Sequence, residues 1–316
     1  MIVLWVLLAL LVLAVVLAIA FFQFSCGGCH RTQAQIEKHL THNSFSVCRD
    51  EILAGEKWVL AQPRREMDIV AFDGVRLHGI FLPQENAKGT LLLFHGYRSC
   101  WQIDFGLVAR MYYEMGFQLL LVDQRAQQRS GGRYITFGVK ERRDVQSWVK
   151  RMADELGTDE PMYLCGLSMG ASTVLMAADL PLAGNVRGIV ADCGFTEPYA
   201  IMRYVILRDH PHRPAGVILA LLDAATRTLA GFSLHGCRTT DTVGASTLPI
   251  LFIHGKADRY VPYEMSVAAY EACPNKKELI LVDGAGHGVS FLYDRERVSR
   301  ALKEFLENHL PKENSK

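Results

Sequence analysis

The chain opens on an uninterrupted apolar run. Residues Met1–Phe22 carry no charged or polar side chain. At 1.5 Å per residue, a helix of that length crosses a hydrocarbon core of roughly 30 Å. The run has no polar face, so the pattern predicts a transmembrane anchor over residues 1–23 rather than an amphipathic surface helix. A cleaved signal peptide would show a basic leading segment, a shorter apolar core and a small-residue cleavage site. Here no basic side chain precedes the run, the run is too long, and Phe21-Phe22-Gln23-Phe24 is a poor cleavage site. A lipoprotein signal is no better, because Gln23 and Phe24 precede Ser25-Cys26 where small or aliphatic residues are wanted. The anchor is therefore expected to remain on the mature protein.

Beyond it the pattern changes three times. Residues 24–56 are largely polar with weak helical spacing and are expected to form a juxtamembrane helical connector. Trp58–Leu82 reads as antiparallel strands, with a tight Asp73-Gly74 hairpin between Met67–Phe72 and Val75–Phe81. From Thr90 onward, short apolar runs alternate with helical periods. Gly138–Leu156, for example, puts Val145, Trp148, Val149, Met152 and Leu156 on one face. Such alternation predicts an α/β domain over residues 57–311, a mostly parallel, eight-stranded sheet with helices on both faces. One interval breaks the rhythm. Residues 196–248, between the strand ending at Asp192 and the strand beginning at Pro249, stand where a single crossover helix is expected, so an insertion is predicted there. Within it, Val217–Leu222 is apolar on almost every side, so it must pack on something or touch membrane.

Composition narrows the function. At 316 residues and 50% hydrophobic, the chain can bury one sizeable core. Its formal net charge is +1 with acids and bases interspersed, so no nucleic-acid partner is expected. No Walker-type loop or dinucleotide fingerprint appears. Arg31, Lys38 and Arg49 flank the C-terminal side of the anchor with no basic side chain before it, so by the positive-inside rule the domain that follows is expected in the cytoplasm. Cys165 and Cys193 sit in strand-like runs and read as buried small hydrophobes. Cys26-Gly27-Gly28-Cys29 stays open between a redox pair, a metal half-site and a palmitoylation site. A structural zinc would need four ligands, and only His30 and Cys48 lie nearby in sequence.

The candidate chemistry centres on Gly166-Leu167-Ser168-Met169-Gly170, set between the apolar strand Met162–Cys165 and a helix-like stretch from Ala171. That context makes it a nucleophile elbow, with glycines where a Cβ would strike the neighbouring strand or helix and Ser168 at a helix N-terminus. Asp258 follows the strand Pro249–Gly255, and His287 follows the strand Glu278–Val282. All three stand just past the carboxyl ends of strands, where open α/β sheets place their sites.

In these motifs and in their order (Ser168, Asp258, His287), the chain resembles the α/β-hydrolase superfamily, close to the serine aminopeptidase and monoacylglycerol lipase branch. The resemblance covers nearly everything after residue 55. It implies a serine hydrolase with Ser168 as nucleophile, His287 as base and Asp258 as acid, acting on a small-molecule ester or peptide without metal or organic cofactor. By position it also implies oxyanion amides at Tyr97, in the His95-Gly96-Tyr97 turn, and at Met169. His95 is read as a strand-end residue holding that turn. Asp192 and Asp123 also end strands, but the H-G-x-x-D spacing favours Asp258 as the acid, and the other two are expected to hold loops.

Relatives usually carry D-x-R-x-H-G-x-S where this chain has Asp123-Gln124-Arg125-Ala126-Gln127-Gln128-Arg129-Ser130, so a local difference in loop shape is expected. An aminopeptidase would need an anionic site for the substrate amine, for which Glu197 and Asp209 are the candidates in the 196–248 insertion, which the resemblance implies is a small helical cap. Thioesterase chemistry stays open, as does a catalytically silent membrane-bound binding protein. Dehalogenase and epoxide hydrolase chemistry is disfavoured because it needs a carboxylate where Ser168 stands.

Overall fold

The apolar N-terminal run folds as one long helix, α1 (Ile2–Cys26), which is long and apolar enough to cross a membrane. The structure, a computed structural model, describes residues 1–41 and 44–311, without the side chains of Leu11 and Ser44. His42 and Asn43, inside the expected connector, lie outside the described residues. The rest of that segment is packed rather than free. Helices α2 (Gln33–Leu40) and α3 (Arg49–Ala61) bury Ile36, Leu40 and Ile52 against Cys100, Ile103 and Val289. Helix α3 also takes in Trp58–Ala61, which the sequence pattern assigned to strand. Its buried positions Ile52, Glu56 and Val59 recur at helical spacing, and that period outweighs the β-branched character of the short run.

The strands and helices that follow are β1 (Arg65–Val70), β2 (Arg76–Leu82), β3 (Gly89–Phe94), α4 (Trp101–Phe105), α5 (Ala109–Glu114), β4 (Phe117–Asp123), α6 (Glu141–Leu156), β5 (Pro161–Leu167), α7 (Met169–Met176) and β6 (Asn185–Asp192). The chain continues through α8 (Pro198–Asp209), α9 (Ala215–Ala225), α10 (Thr239–Ala245), β7 (Ile250–Gly255), α11 (Glu264–Ala272), β8 (Lys277–Val282), α12 (Ser290–Tyr293) and α13 (Arg295–Asn308). All eight strands join one sheet in the order β1-β2-β4-β3-β5-β6-β7-β8. Strand β2 runs antiparallel to both β1 and β4, and every other pairing is parallel.

Burial explains the order. Strands β3, β4 and β7 are buried at every position, as continuous apolar runs must be when helices cover both faces. Edge strand β1 alternates, with Met67 and Ile69 inward. One face of the sheet packs on α6, α7, α10 and α11 through Val145, Trp148, Val174, Val243 and Ala269. The other packs on α3, α4, α5 and α13 through Val59, Trp101, Tyr112, Leu302 and Phe305.

The interval 196–248 divides in two. Val243 of α10 packs into the sheet, so α10 acts as the crossover helix, whereas α8 and α9 stand apart from it. Ile201, Leu219 and Leu222 of those two helices share a third cluster with Phe137, Met169 and Phe195, and with Phe22 and Cys26 from the end of α1.

Candidate active site

Ser168 joins β5 to α7 with φ 56° and ψ −117°, a conformation that non-glycine residues adopt only under constraint. The constraint is visible on both sides. The Ser168 N–H donates to the Asp192 carbonyl at 2.8 Å. A Cβ on Gly166 would strike the Gly170 backbone, and one on Gly170 would strike the Phe94 carbonyl oxygen. The two glycines therefore let helix and strands close around the turn, and the serine takes up the strain.

His287 connects Ser168 to Asp258. Its Nε2 lies 2.9 Å from Ser168 Oγ, and its Nδ1 lies 2.6 Å from Asp258 Oδ2. A carboxylate only accepts, so Nδ1 carries the hydrogen and Nε2 is left to accept from the serine hydroxyl. Asp258 is fixed from further directions. Its Oδ1 accepts the N–H groups of Tyr260 and Val261 at 2.7 and 3.0 Å. His254 Nε2 faces both Asp258 Oδ2 at 3.2 Å and the Val261 carbonyl at 3.0 Å, so it donates, while its Nδ1 accepts from Ser266 Oγ at 2.7 Å. Burial opposes ionisation of Asp258, yet hydrogen bonds from His254 and His287 hold its carboxyl well below the usual range. A permanent negative charge thus sits behind the imidazole.

The turn after β3 packs on the elbow, since a Cβ on Gly96 would come within 3.3 Å of Ser168 Cβ. Asp104 holds this turn by accepting from Gly96 N–H and Ser99 Oγ, both at 2.6 Å. His95 Nε2 accepts the Gln124 N–H at 3.1 Å, and Nδ1 bonds the Gly96 carbonyl at 2.9 Å, which is the loop-holding part read for it in the sequence. Tyr97 and Met169 thus stand in the turn against Ser168 and at the helix start just after it. The first amides of a helix have no acceptor within it, so the Met169 N–H is available to an incoming oxygen.

Sequence reasoning missed His254 and Asp104. The available signal for His254 was a histidine ending a strand four residues before the acid; Asp104 had none, because its partner Gly96 meets it only in the fold. Cys193 stands one residue past β6 at φ 50°, and its Sγ lies with the ligand atoms of Asp258 and His287 within 4.8 Å of one another. Burial, with Asp192 and Asp258 nearby, pushes that thiol far up, so it remains an S–H beside the relay.

The rival acids behave differently. Asp123 holds its loop, pairing with His78 Nδ1 at 2.9 Å and accepting from the Arg129 N–H at 3.3 Å. Asp192 does not fit the loop-holding reading, because its Oδ1 is buried without a hydrogen-bond partner among the described residues. Burial pushes this carboxyl up to about 6. An unfolded aspartate titrates near about 3.9, so the stability contributed by the neutral form is complete below that pH and is lost as pH rises through about 6. Asp192→Asn should therefore raise the melting temperature near about pH 7.5, by about 2–4 °C per kcal/mol relieved, and leave it unchanged near about pH 4. Thermal melts at the two pH values check this; equal shifts at both would refute it.

Behind the elbow, on the α4–α5–α13 face, lies a cavity of about 50 Å³ lined in part by Asp104, Leu167, Asp192, Gly288 and Phe291. Neither Ser168 nor His287 lines it.

The departure at Gln127-Gln128 has a visible cause. The loop bends through Ala126 and Gln128 at φ 59° and 49°. It does so to meet the chain leaving α1: the Cys29 N–H donates to Ala126 O at 2.8 Å, and the Gln128 N–H donates to Cys29 O at 2.9 Å. Ile135 N–H bonds Cys26 O at 2.7 Å, and Tyr97 Oη bonds Ser25 O at 2.7 Å. The helix end and the turn beside Ser168 are thus tied together. Cys26 and Cys29 are both free thiols, the first buried and the second half-buried.

Comparison with known proteins bears on the family and the fold. The model of the alpha/beta hydrolase family matches residues 91–301. The uncharacterized protein YqkD of Bacillus subtilis is 23% identical over 235 residues, covering 74% of this chain and 76% of its own. Among solved structures, the Pyrococcus furiosus esterase Pf2001 superimposes with a TM-score of 0.64 at 22% identity, covering 80% of this chain and 96% of that one. The esterase from Exiguobacterium antarcticum gives a TM-score of 0.57 at 18% identity, over 76% of this chain and 99% of that one.

Proposed function

We propose that this chain, which belongs to the alpha/beta hydrolase family, is a membrane-anchored serine hydrolase that cleaves carboxylic esters with apolar acyl groups. One observation carries the reading: Ser168, strained at the elbow, shares a single hydrogen-bonded relay with His287 and Asp258. Ser168 Oγ attacks the acyl carbonyl while His287 Nε2 takes its proton, and Asp258 stabilises the imidazolium that forms. His287 then returns the proton to the departing alkoxide, leaving Ser168 acylated. Water, deprotonated by the same imidazole, releases the acid and restores the serine. The amides of Tyr97 and Met169 would hold the oxyanion, each worth roughly 3 kcal/mol.

Residues 1–23 serve as the anchor, residues 24–56 as the packed connector and residues 57–311 as the hydrolase domain, on the cytoplasmic side. The aminopeptidase reading is weakened by the cap's own cations. Glu197 is occupied by Arg238 at 3.0 Å and His235 at 3.5 Å, and Asp209 by Arg208 at 2.6 Å, so neither carboxylate is poised for a substrate amine. The esterases among its structural neighbours are consistent with ester chemistry.

The acyl group would pack against the apolar cluster that Met169, next to Ser168, forms with Phe137, Phe195, Leu219 and Leu222. Each substrate CH₂ buried there is worth about 0.8 kcal/mol, nearly fourfold in kcat/KM. Rates on p-nitrophenyl esters should rise from acetate through butyrate and then level off, and aminoacyl anilides should be poor substrates. Leu222 is fully buried and Leu221 half-exposed, so Leu222→Asp is the variant that should flatten the rise. A preference for acetate, or for aminoacyl anilides over every ester, would overturn the reading.

A further inference from the structure

Helix α9 packs along α1. Among the described side chains of α1 the shielded positions are Ala14, Ala18, Phe21, Phe22, Ser25 and Cys26, one face at helical spacing, while the others from Ile2 to Ala20 are exposed. Ala14 lies roughly 12 Å along the helix from Phe22, so the shielded face reaches well into the segment read as membrane-spanning. The outer face of α9 is equally telling. Gly216, Val217, Ala220, Leu221 and Ala224 are exposed, and none is polar. Within the helix the polar side chain is Asp223, which is half-buried and turned to Leu234 N–H, Ser233 and Arg227; the exposed polar groups stand beyond its two ends, His210, His212 and Arg213 before it and Arg227 and Thr228 after it. An apolar face bounded by such ends is the pattern of a helix seated in a lipid interface, its polar flanks among the headgroups.

We propose that the outer face of α9 is embedded in the acyl-chain region of the same bilayer that α1 crosses, and that the site takes esters whose acyl chains reside in that bilayer. The inference rests on the anchor reading. It goes further because the opposite face of α9, through Leu219 and Leu222, joins Phe137 and Met169, the residue that follows Ser168, with Phe22 of α1 in the same cluster. An acyl chain drawn out of the membrane along α9 thus stays in apolar surroundings up to the nucleophile, and only the ester carbonyl needs to reach the oxyanion amides. The hydrogen bonds from Tyr97 Oη to Ser25 O and from Arg98 to Phe24 O hold the catalytic turn at the end of α1, against the membrane surface.

Tryptophan fluorescence of the full-length protein in phosphatidylcholine vesicles, quenched by lipids brominated along their acyl chains, tests the placement. Trp58, Trp101 and Trp148 are common to every variant, so each site is read as a difference: Trp5 of α1 reports on the anchor as the quenching lost in Trp5→Phe, and each introduced tryptophan as the quenching gained over that background. In a Trp5→Phe background, Val217→Trp and Leu221→Trp report on α9, and Val70→Trp on the exposed edge strand β1 serves as the unquenched control. The expected result is quenching at Trp5 and at both α9 positions, with none at position 70. Quenching at Trp5 without quenching at positions 217 and 221 would overturn the proposal and leave the anchor standing; an unquenched Trp5 would remove the anchor and this proposal with it. Leu221→Glu should also lower turnover of a long-chain p-nitrophenyl ester carried in vesicles by about tenfold or more, while turnover of soluble p-nitrophenyl butyrate stays unchanged. Equal losses on both substrates would count against entry from the bilayer.

Discussion

Ser168→Ala is expected to lower kcat on p-nitrophenyl butyrate by roughly 10⁵–10⁶ and to abolish labelling by a fluorophosphonate. The loss is so large because the substitution removes the atom that forms the acyl-enzyme, leaving only oriented water and the oxyanion amides. The fold should not change. The elbow is imposed by Gly166 and Gly170 and by the bond from the Ser168 N–H to Asp192 O, none of which involves the hydroxyl. An unchanged melting temperature alongside lost labelling is the expected pair of results. Labelling that persists would place the nucleophile elsewhere, and a lost fold would show that Oγ matters to the elbow itself.

Asp258→Asn is expected to lower kcat by roughly 10⁴ with little change in KM. The amide would present N–H groups where Oδ2 now accepts from His287 at 2.6 Å, so the imidazole would be held in the wrong tautomer with its Nε2–H aimed at Ser168. The same amide would face the donating Nε2 of His254, so this variant should also lose stability, which thermal melts will read. Asp192→Asn should cost far less activity, because His287 takes its support from Asp258. A ranking in which the Asp192 variant is the more damaged would move the acid to the end of β6.

Much of this protein is legible in its sequence because the relevant signals are local. The first helix, the alternation from Thr90 onward and the hairpin at Asp73-Gly74 are periodicities and turn signals, and the fold reproduces them as α1, the parallel run of the sheet and the β1–β2 pair. Ser168, Asp258 and His287 could be read in order because each follows a strand whose apolar run marks it, and the fold brings those three side chains within hydrogen-bond reach. Where two local signals competed, at Trp58–Ala61, the helical burial of Ile52, Glu56 and Val59 prevailed over strand character.

Other features are products of distance along the chain. That Asp104 secures Gly96, and that Ser266 Oγ meets Nδ1 of His254, follows from elements placed side by side, and neither pairing leaves a spacing to read. The H-G-x-x-D spacing already favoured Asp258 over Asp192; the fold adds that Asp258 is met by two histidines and two backbone amides, whereas Asp192 Oδ1 is buried without a partner among the described residues. The apolar run Val217–Leu222 announced that it must be covered, but not by what. Only the fold lays α9 along α1 with Leu219 and Leu222 toward the site and Val217 and Leu221 outward, because hydrophobicity is non-directional and the partner of an apolar face is chosen by the packing of the whole chain.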